Sequence, residues 1–301
     1  MVTWKNITLL ILFEIVLLCI IIIYSQYRIL QKHKENIRVL TIENQKLSNA
    51  FKHFKDENHR QIIVSSNDVQ SKNGKIGEII NTYANAVDGD ISIYYKNLTT
   101  SESVIVDGAQ IYYMASLYKV IVTLYVLDME KEGTLSLDET VGEPPITIGE
   151  ALEKIIEESN NEYAQVIAEK YGWKTIAIHI KNHYAIDFSF SEKLEANVTN
   201  IGALFVTIAQ SERIAEKNAD NYLLHLLSKQ QHTSKLPKYL PKSIYSHNKT
   251  GEFEEYSHDA GIFYTPKANY VLVFMSKTAI PWETDEQMSL MSKEIYETLN
   301  N

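Results

Sequence analysis

Cysteine is almost missing from this chain. Cys19 is the only one in 301 residues, so no disulfide can form within it. Because Cys19 lies in an apolar run, it does not settle the redox compartment. There is no Cys-x-x-Cys pair and no His-Glu-x-x-His, which leaves a zinc site without support and implies no metal or cofactor. Arginine is scarce too: after residue 75 only Arg213 remains. Positive charge is lacking from the larger part of the chain. Residues 76–301 hold 18 Lys/Arg against 32 Asp/Glu, a net of −14, whereas residues 1–75 hold 11 against 6, a net of +5. The acidic part argues against a nucleic-acid ligand. The basic part suits an anionic membrane surface. With 45% hydrophobic residues and only 11 glycines and 6 prolines, the chain can bury one sizeable core or two modest ones.

The longest apolar run is ITLLILFEIVLLCIIIIY, Ile7 to Tyr24, with Glu14 its one charge. Its length is near the lower limit for a membrane-spanning helix. A cleaved signal peptide is the alternative, but Ser25-Gln26-Tyr27-Arg28 offers no small-x-small site. Residues 1–25 are therefore read as an uncleaved anchor. Residues 26–75 read as a helical stalk and linker. Leu30, Ile37, Asn44 and Phe51 fall at one heptad position, and His33, Leu40, Leu47 and Phe54 at another. Asn44 at a seam is a register device of two-stranded coils, so the pattern predicts pairing of two copies. A single solvated helix is the alternative, because the repeat is short. SSNDVQSKNGK, residues 65–75, reads as a flexible linker.

Residues 76–301 read as one domain. Ile76–Ala86 looks helical. Asp90–Leu98 and Glu102–Asp107 are β-branched and aromatic runs around Thr99-Thr100-Ser101, a hairpin pattern. Helical patterns follow to about residue 230. Two strand-like runs, Ala260–Tyr264 and Tyr270–Ser276, and a helix from Glu286 to Leu299 close the chain. Strands at both ends predict an α+β sandwich. It would hold an antiparallel sheet of about five strands, flanked by N- and C-terminal helices, with an all-helical insertion over about 113–243.

Within that insertion YMASLYKVIVTLYVLDMEK, residues 113–131, is apolar from Leu117 to Leu127 apart from Thr123 and Lys119. A helix apolar all round is buried, and this one is too short to span a membrane. A lone lysine there has its ammonium disfavoured. Ser116 lies one turn earlier on the same face, so a neutral Lys119 amine can take its proton. The helix start also offers a backbone N–H to a developing oxyanion. Ser-x-x-Lys alone is a weak signal; Ser246-His-Asn-Lys249 is a second match, but it does not open a buried helix.

Ser159-Asn160-Asn161 follows, and then the chain's only Lys-Thr-Gly, Lys249-Thr250-Gly251. SxxK, SxN and KTG in this order resemble the class A β-lactamases and penicillin-binding proteins. GTLSLDETV (133–141), TIGEALEKIIEESNNEYAQVIAEKYG (147–172), LLSKQQHTSKLPKYLP (226–241) and HDAGIFYTPKANYVLVFMSK (258–277) are similar to further segments of that family. The resemblance implies Ser116 as nucleophile, Lys119 as its base and Ser159 as the group returning a proton to the leaving nitrogen. It implies Asn161 as a ligand of the substrate amide and of Lys119. Lys249 would hold Lys119 neutral and attract anionic substrate, Thr250 would donate to a substrate carboxylate, and Gly251 would line the substrate site. The N–H groups of Ser116 and Glu252 would form the oxyanion hole. The partners so implied are a β-lactam or a D-Ala-D-Ala-like wall peptide.

The chain also departs from the family. Residues 186–205, IDFSFSEKLEANVTNIGALF, lack the Glu-x-x-Leu-Asn that activates deacylating water, and only Glu192 and Glu195 stand nearby. Asn160 replaces the usual Asp, which puts the bracing of its loop in doubt. Ser257 stands where an arginine is common, with Lys235 the substitute cation, and Glu252, Glu254 and Glu255 place acid beside KTG. A weakly catalytic binding or scaffold protein of the envelope is therefore the second expectation. Orientation is disputed. Arg28, Lys32, Lys34 and Arg38 follow the anchor, and the positive-inside rule would put them in the cytoplasm. The resemblance implies the cell-wall side, and that expectation is followed. The heptad expectation has a direct test. Sedimentation of the chain from residue 26 onwards at micromolar concentration should give a dimer, and a monomer removes the pairing.

Overall fold

The computed structural model describes residues 62–64, 72–188, 190, 193–210 and 219–301, with residues 26, 30 and 34 as single helical positions. The chain divides into two units, Met1–His59 and Arg60–Asn301. The anchor, nearly all of the heptad and most of the linker lie outside the described residues. Among the described residues no helix is long and apolar enough to cross a membrane.

In chain order the second unit runs β1 (Ile62–Val64), α1 (Lys72–Ala86), β2 (Asp90–Asn97), β3 (Ser103–Val106) and β4 (Ile111–Tyr113). A 3-10 turn, Ala115–Leu117, leads into α2 (Tyr118–Lys131), and a small hairpin, β5 (Thr140–Val141) and β6 (Ile146–Thr147), follows. Helices α3 (Ile148–Glu157), α4 (Asn161–Tyr171) and α5 (Trp173–Tyr184) come next, then β7 (Glu195–Asn197), α6 (Val198–Gln210) and α7 (Ala219–Ser228). The chain ends with β8 (Tyr245–Phe253), β9 (Tyr256–Tyr264), β10 (Tyr270–Lys277) and α8 (Pro281–Asn300).

The main sheet is antiparallel throughout, in the order β1-β3-β2-β10-β9-β8. It has six strands rather than about five. The extra one is β1, a β-branched triplet from the stretch expected to be stalk. Helix α1 opens at Lys72, inside the stretch expected to be linker. Strand alternation divides the side chains between two cores. Ile91, Ile93 and Tyr95 of β2, with Leu272 and Phe274 of β10, join Ile76 and Ile80 of α1 and Met288, Met291 and Ile295 of α8. Tyr94, Val271, Val273 and Met275 join the helical part: Val120 and Ile121 of α2, Leu152 and Ile155 of α3, and Ile201, Leu204 and Phe205 of α6. Each such aliphatic side chain contributes about 1.5–3 kcal/mol on burial, so the sheet is clamped from both faces.

Local chemistry fixes the ends. Thr147 and Glu150 make a full capping box at α3. Pro281 stands in the first turn of α8, where its missing N–H costs nothing. The expected two-strand hairpin, closing strand pair and terminal helix are all present with small shifts of boundary. β8 is not apparent in the residue pattern, because SHNKTGEF is polar; it is buried from Asn248 to Gly251 by what packs on it.

Gly202 of α6 gives a test of how tightly the helical layer meets the sheet. A Cβ there would lie 2.4 Å from the Tyr94 ring. Gly202→Ala improves helix propensity by about 1 kcal/mol, but overpacking costs about 1–3 kcal/mol. Thermal denaturation followed by circular dichroism should show a lower Tm; a higher Tm would mean that the ring yields.

Candidate active site

Ser116 sits in the middle of the 3-10 turn that opens α2. The residue before it, Ala115, has φ +46°, a left-handed conformation that is costly for a residue with a Cβ. The surroundings enforce it. β4 pairs with β7, Tyr113 opposite Glu195, and Met114 N–H donates to the Leu194 carbonyl at 2.7 Å. The buried His258 ring on β9 lies 2.8 Å from the Tyr113 carbonyl through Nε2 and accepts from Ser276 N–H at Nδ1, 3.1 Å. Both bonds fit only the neutral ring with its proton on Nε2. Burial pushes its pKa down to about 4, which keeps it neutral. Gly251 of β8 completes the support. A Cβ there would meet the Met114 carbonyl at 2.9 Å and the Leu117 Cγ at 3.2 Å, so this glycine lets β8 close on the nucleophile turn. The absence of a side chain here therefore serves backbone approach.

The expected residues converge. Lys119 is fully buried on α2. Its Nζ lies 2.9 Å from Ser116 Oγ, 2.5 Å from the Ser159 carbonyl, 3.1 Å from Ser159 Oγ and 2.6 Å from Asn161 Oδ1. Ser159, between α3 and α4, is held at φ +60°, which turns its carbonyl and its hydroxyl to the same amine. Asn160 caps α4 through a bond from Tyr163 N–H, 3.0 Å, so it braces this corner without the family's carboxylate. Lys249, also fully buried, donates from β8 to Ser159 Oγ at 2.9 Å. Thr250 is buried beside it, opposite Asp259. The residues of SxxK, SxN and KTG thus meet around one hydroxyl. The second SxxK match is no site: Ser246 and Lys249 lie on a strand.

A model described as the beta-lactamase enzyme family matches residues 75–299. The chain belongs to this family. It is thereby a serine hydrolase of the β-lactamase type. Among solved structures it is similar to PBP-A, at 20% identity and a TM-score of 0.67, covering 74% of this chain and 95% of that one. A point mutant of PBP-A, solved as an acyl-enzyme complex with penicillin G, matches at 19% identity and the same TM-score, over 74% and 95%. A class A beta-lactamase from Bacteroides cellulosilyticus matches at 18% identity and a TM-score of 0.67, over 77% and 99%. At these identities the likeness is one of fold. No curated protein sequence matches the chain.

One expectation about this family member needs correction. Lys119 was to be the neutral amine near pH 7. Burial pulls it down only to about 8, and four oxygens around three N–H donors favour its charged form. Burial, then repulsion by Lys119, pulls Lys249 down as well, to about 7, so the pair as a unit gives up a proton near neutral pH. Ser159 Oγ touches both amines and can pass a proton between them. Lys235, expected as the substitute cation, is fully buried. Its Nζ donates to Ser257 Oγ at 2.7 Å and the His258 carbonyl at 3.3 Å, and lies 2.9 Å from Glu252 Oε1 and 3.8 Å from Asp285 Oδ1. Of the acids beside KTG, Glu255 pairs with Lys277 at 3.0 Å and Glu254 takes the left-handed turn position at φ +50°. Glu195 lies 3.9 Å from Lys193, and its backbone is in β7; Glu192 lies outside the described residues. Among the described residues no carboxylate hydrogen-bonds Ser116, Lys119 or Ser159. The sequence reading missed His258, Asp285 and the packing role of Gly251; a histidine inside an otherwise buried strand was the one visible signal.

The shared proton predicts a pH profile. A lysine with lowered pKa becomes a base as pH rises through that value, so the acylation rate should climb between about pH 7 and 8. Lys249→Gln removes a positive neighbour, Lys119 then holds its proton more firmly, and the limb should move to higher pH. A limb that stays in place breaks the coupling.

Proposed function

We propose that this chain is a membrane-anchored active-site serine hydrolase that forms an ester at Ser116 with β-lactams or D-Ala-D-Ala-like wall peptides. The observation that carries this is the unbroken run Ser116 Oγ–Lys119 Nζ–Ser159 Oγ–Lys249 Nζ, each step 2.9–3.1 Å. With Lys119 neutral, its amine takes the Ser116 proton as Oγ attacks the amide carbonyl. The oxyanion is met by the N–H groups of Ser116 and Glu252, on two segments that Gly251 brings into contact. The amide C–N bond then breaks, and the Ser159 hydroxyl gives its proton to the leaving nitrogen and is resupplied by the lysines. Asn161 orients the substrate amide, and Thr250 donates to the substrate. The penicillin G ester of the PBP-A mutant is in keeping with this chemistry.

The anchor is Ile7–Tyr24, with the domain on the cell-wall side and a stalk that pairs two copies. A weakly catalytic binding protein is the second reading, favoured by the pairing of Lys235 with Glu252. In either case the ester should persist. A positioned base accelerates such a step about 10²–10⁴-fold, and no described carboxylate reaches the nucleophile. Intact-mass spectrometry after penicillin exposure should show one adduct, lost in Ser116→Ala. Nitrocefin should give a burst and then a near-flat line. No adduct, or one that survives Ser116→Ala, sinks the acylation reading, and fast steady turnover sinks the slow step.

A further inference from the structure

Lys235 has no hydrogen-bonding capacity left. An ammonium has three N–H donors, and within 3.3 Å its Nζ finds Ser257 Oγ, the His258 carbonyl and Glu252 Oε1. Asp285 Oδ1 stands behind at 3.8 Å and accepts from the Ser257 hydroxyl. Two carboxylates therefore face one cation. They are not alike. The Asp285 side chain is 27% exposed and belongs to α8, whereas Glu252 is 61% exposed and follows directly on Lys249-Thr250-Gly251. Glu252 thus reaches from the open side of the strand onto a cation that is wholly out of water. A substrate carboxylate arriving along β8 would take the same approach. Burial alone would raise the Glu252 carboxyl, but the Lys235 ammonium, with smaller help from His232 and Lys249, holds the group below its ordinary value. The acid therefore stays ionised and bound at neutral pH.

Penicillins and D-Ala-D-Ala peptides carry a free carboxylate on the leaving side of the scissile amide. To seat it on Lys235, Glu252 must be displaced, and two like charges then compete for one saturated ammonium. Lys249 Nζ already donates to Ser159 Oγ and to the Thr250 carbonyl at 3.1 Å, so at most one of its N–H groups remains for a substrate carboxylate.

We propose that Glu252 is a specificity-determining residue which occupies the anion position on Lys235 in place of a substrate carboxylate. The site consequently takes acyl donors whose leaving side carries no free carboxylate, as in a neutral amide or ester, at least as readily as the carboxylate-bearing β-lactams and wall peptides. The proposal rests on acylation of Ser116, and the test separates the two. The full chain in detergent is exposed to benzylpenicillin and to its methyl ester, and the bimolecular rates of adduct formation are read by intact mass. The wild type should react with the ester at least as fast as with the acid. Glu252→Gln should raise the acid-to-ester ratio by about tenfold or more, the scale of a hydrogen bond to a charged group. Glu255→Gln removes the same charge from the neighbouring pair with Lys277 and should leave the ratio in place. A wild type that prefers the acid tenfold or more, or two variants that shift the ratio equally, overturns the proposal alone. No Ser116 adduct with either compound in the wild type overturns the acylation reading and the proposal with it. Should Glu252→Gln react with neither compound, the wild-type ratio decides.

Discussion

Lys119 and Lys249 are both out of water and both touch the Ser159 hydroxyl, at 3.1 and 2.9 Å. Two ammonium ions so close repel each other, and burial penalises each of them. The arrangement persists because separate parts of the fold bring the groups together and leave them nowhere else to go. Lys119 comes from α2, whose neighbouring residues Val120, Ile121 and Val122 are fully buried and fix the helix. Lys249 comes from β8 at the sheet edge, and Ser159 from the corner between α3 and α4. The repulsion is converted into reactivity, because a pair that resists holding two protons supplies a base near neutral pH.

Such a site needs a frame that does not relax. The sheet supplies it through its two cores, with β10 at its centre contributing alternate side chains to both. The nucleophile turn is tied to this frame from three sides: by β7 through the Tyr113 and Leu194 pairings, by β9 through His258, and by β8 through the bare Cα of Gly251. Left-handed backbone at Ala115 and Ser159, costing of order 1–3 kcal/mol at each, is the conformational price of aiming Ser116 and Ser159 at one amine. These two are among the few residues other than glycine with positive φ, and both adjoin or belong to the constellation.

Much of this was legible in the residues. The buried helix after Ser116 could be read from an apolar run broken only by Thr123 and Lys119, since a helix with no polar face has to be covered. The hairpin of β2 and β3 and the closing strands stood out by β-branched content. What stayed hidden depended on distance in space. β8 is polar in sequence because its side chains serve the site, so no pattern marks it as a strand. β1 is three residues long, and nothing local distinguishes it from a stalk. How far burial and mutual repulsion lower the two lysines depends on what surrounds each, which only the packed structure fixes. The burial of Lys235 had no local signal, because its partners Ser257 and Asp285 lie far along the chain.

The segment after α5 shows how one stretch is committed to one task. Its backbone forms β7 and pairs with β4, so Glu195 lies across from Tyr113, three residues before the nucleophile. Asn197 accepts from Asn200 N–H at 2.8 Å and starts α6 at once, and Asn200 in turn donates to the Asp187 carbonyl at 2.6 Å. Phe188 and Phe190 are buried. Its described polar groups therefore serve the turn that carries Ser116 and the entry to a core helix. A carboxylate that activates water has to sit over the ester with its oxygens directed at solvent. Here β7, which carries Glu195, is already used to hold the residues just before the nucleophile. On the proposed acyl-transfer reading, backbone pairing has thus committed Glu195 to support of the turn, and the ester it would have to open is left without that base.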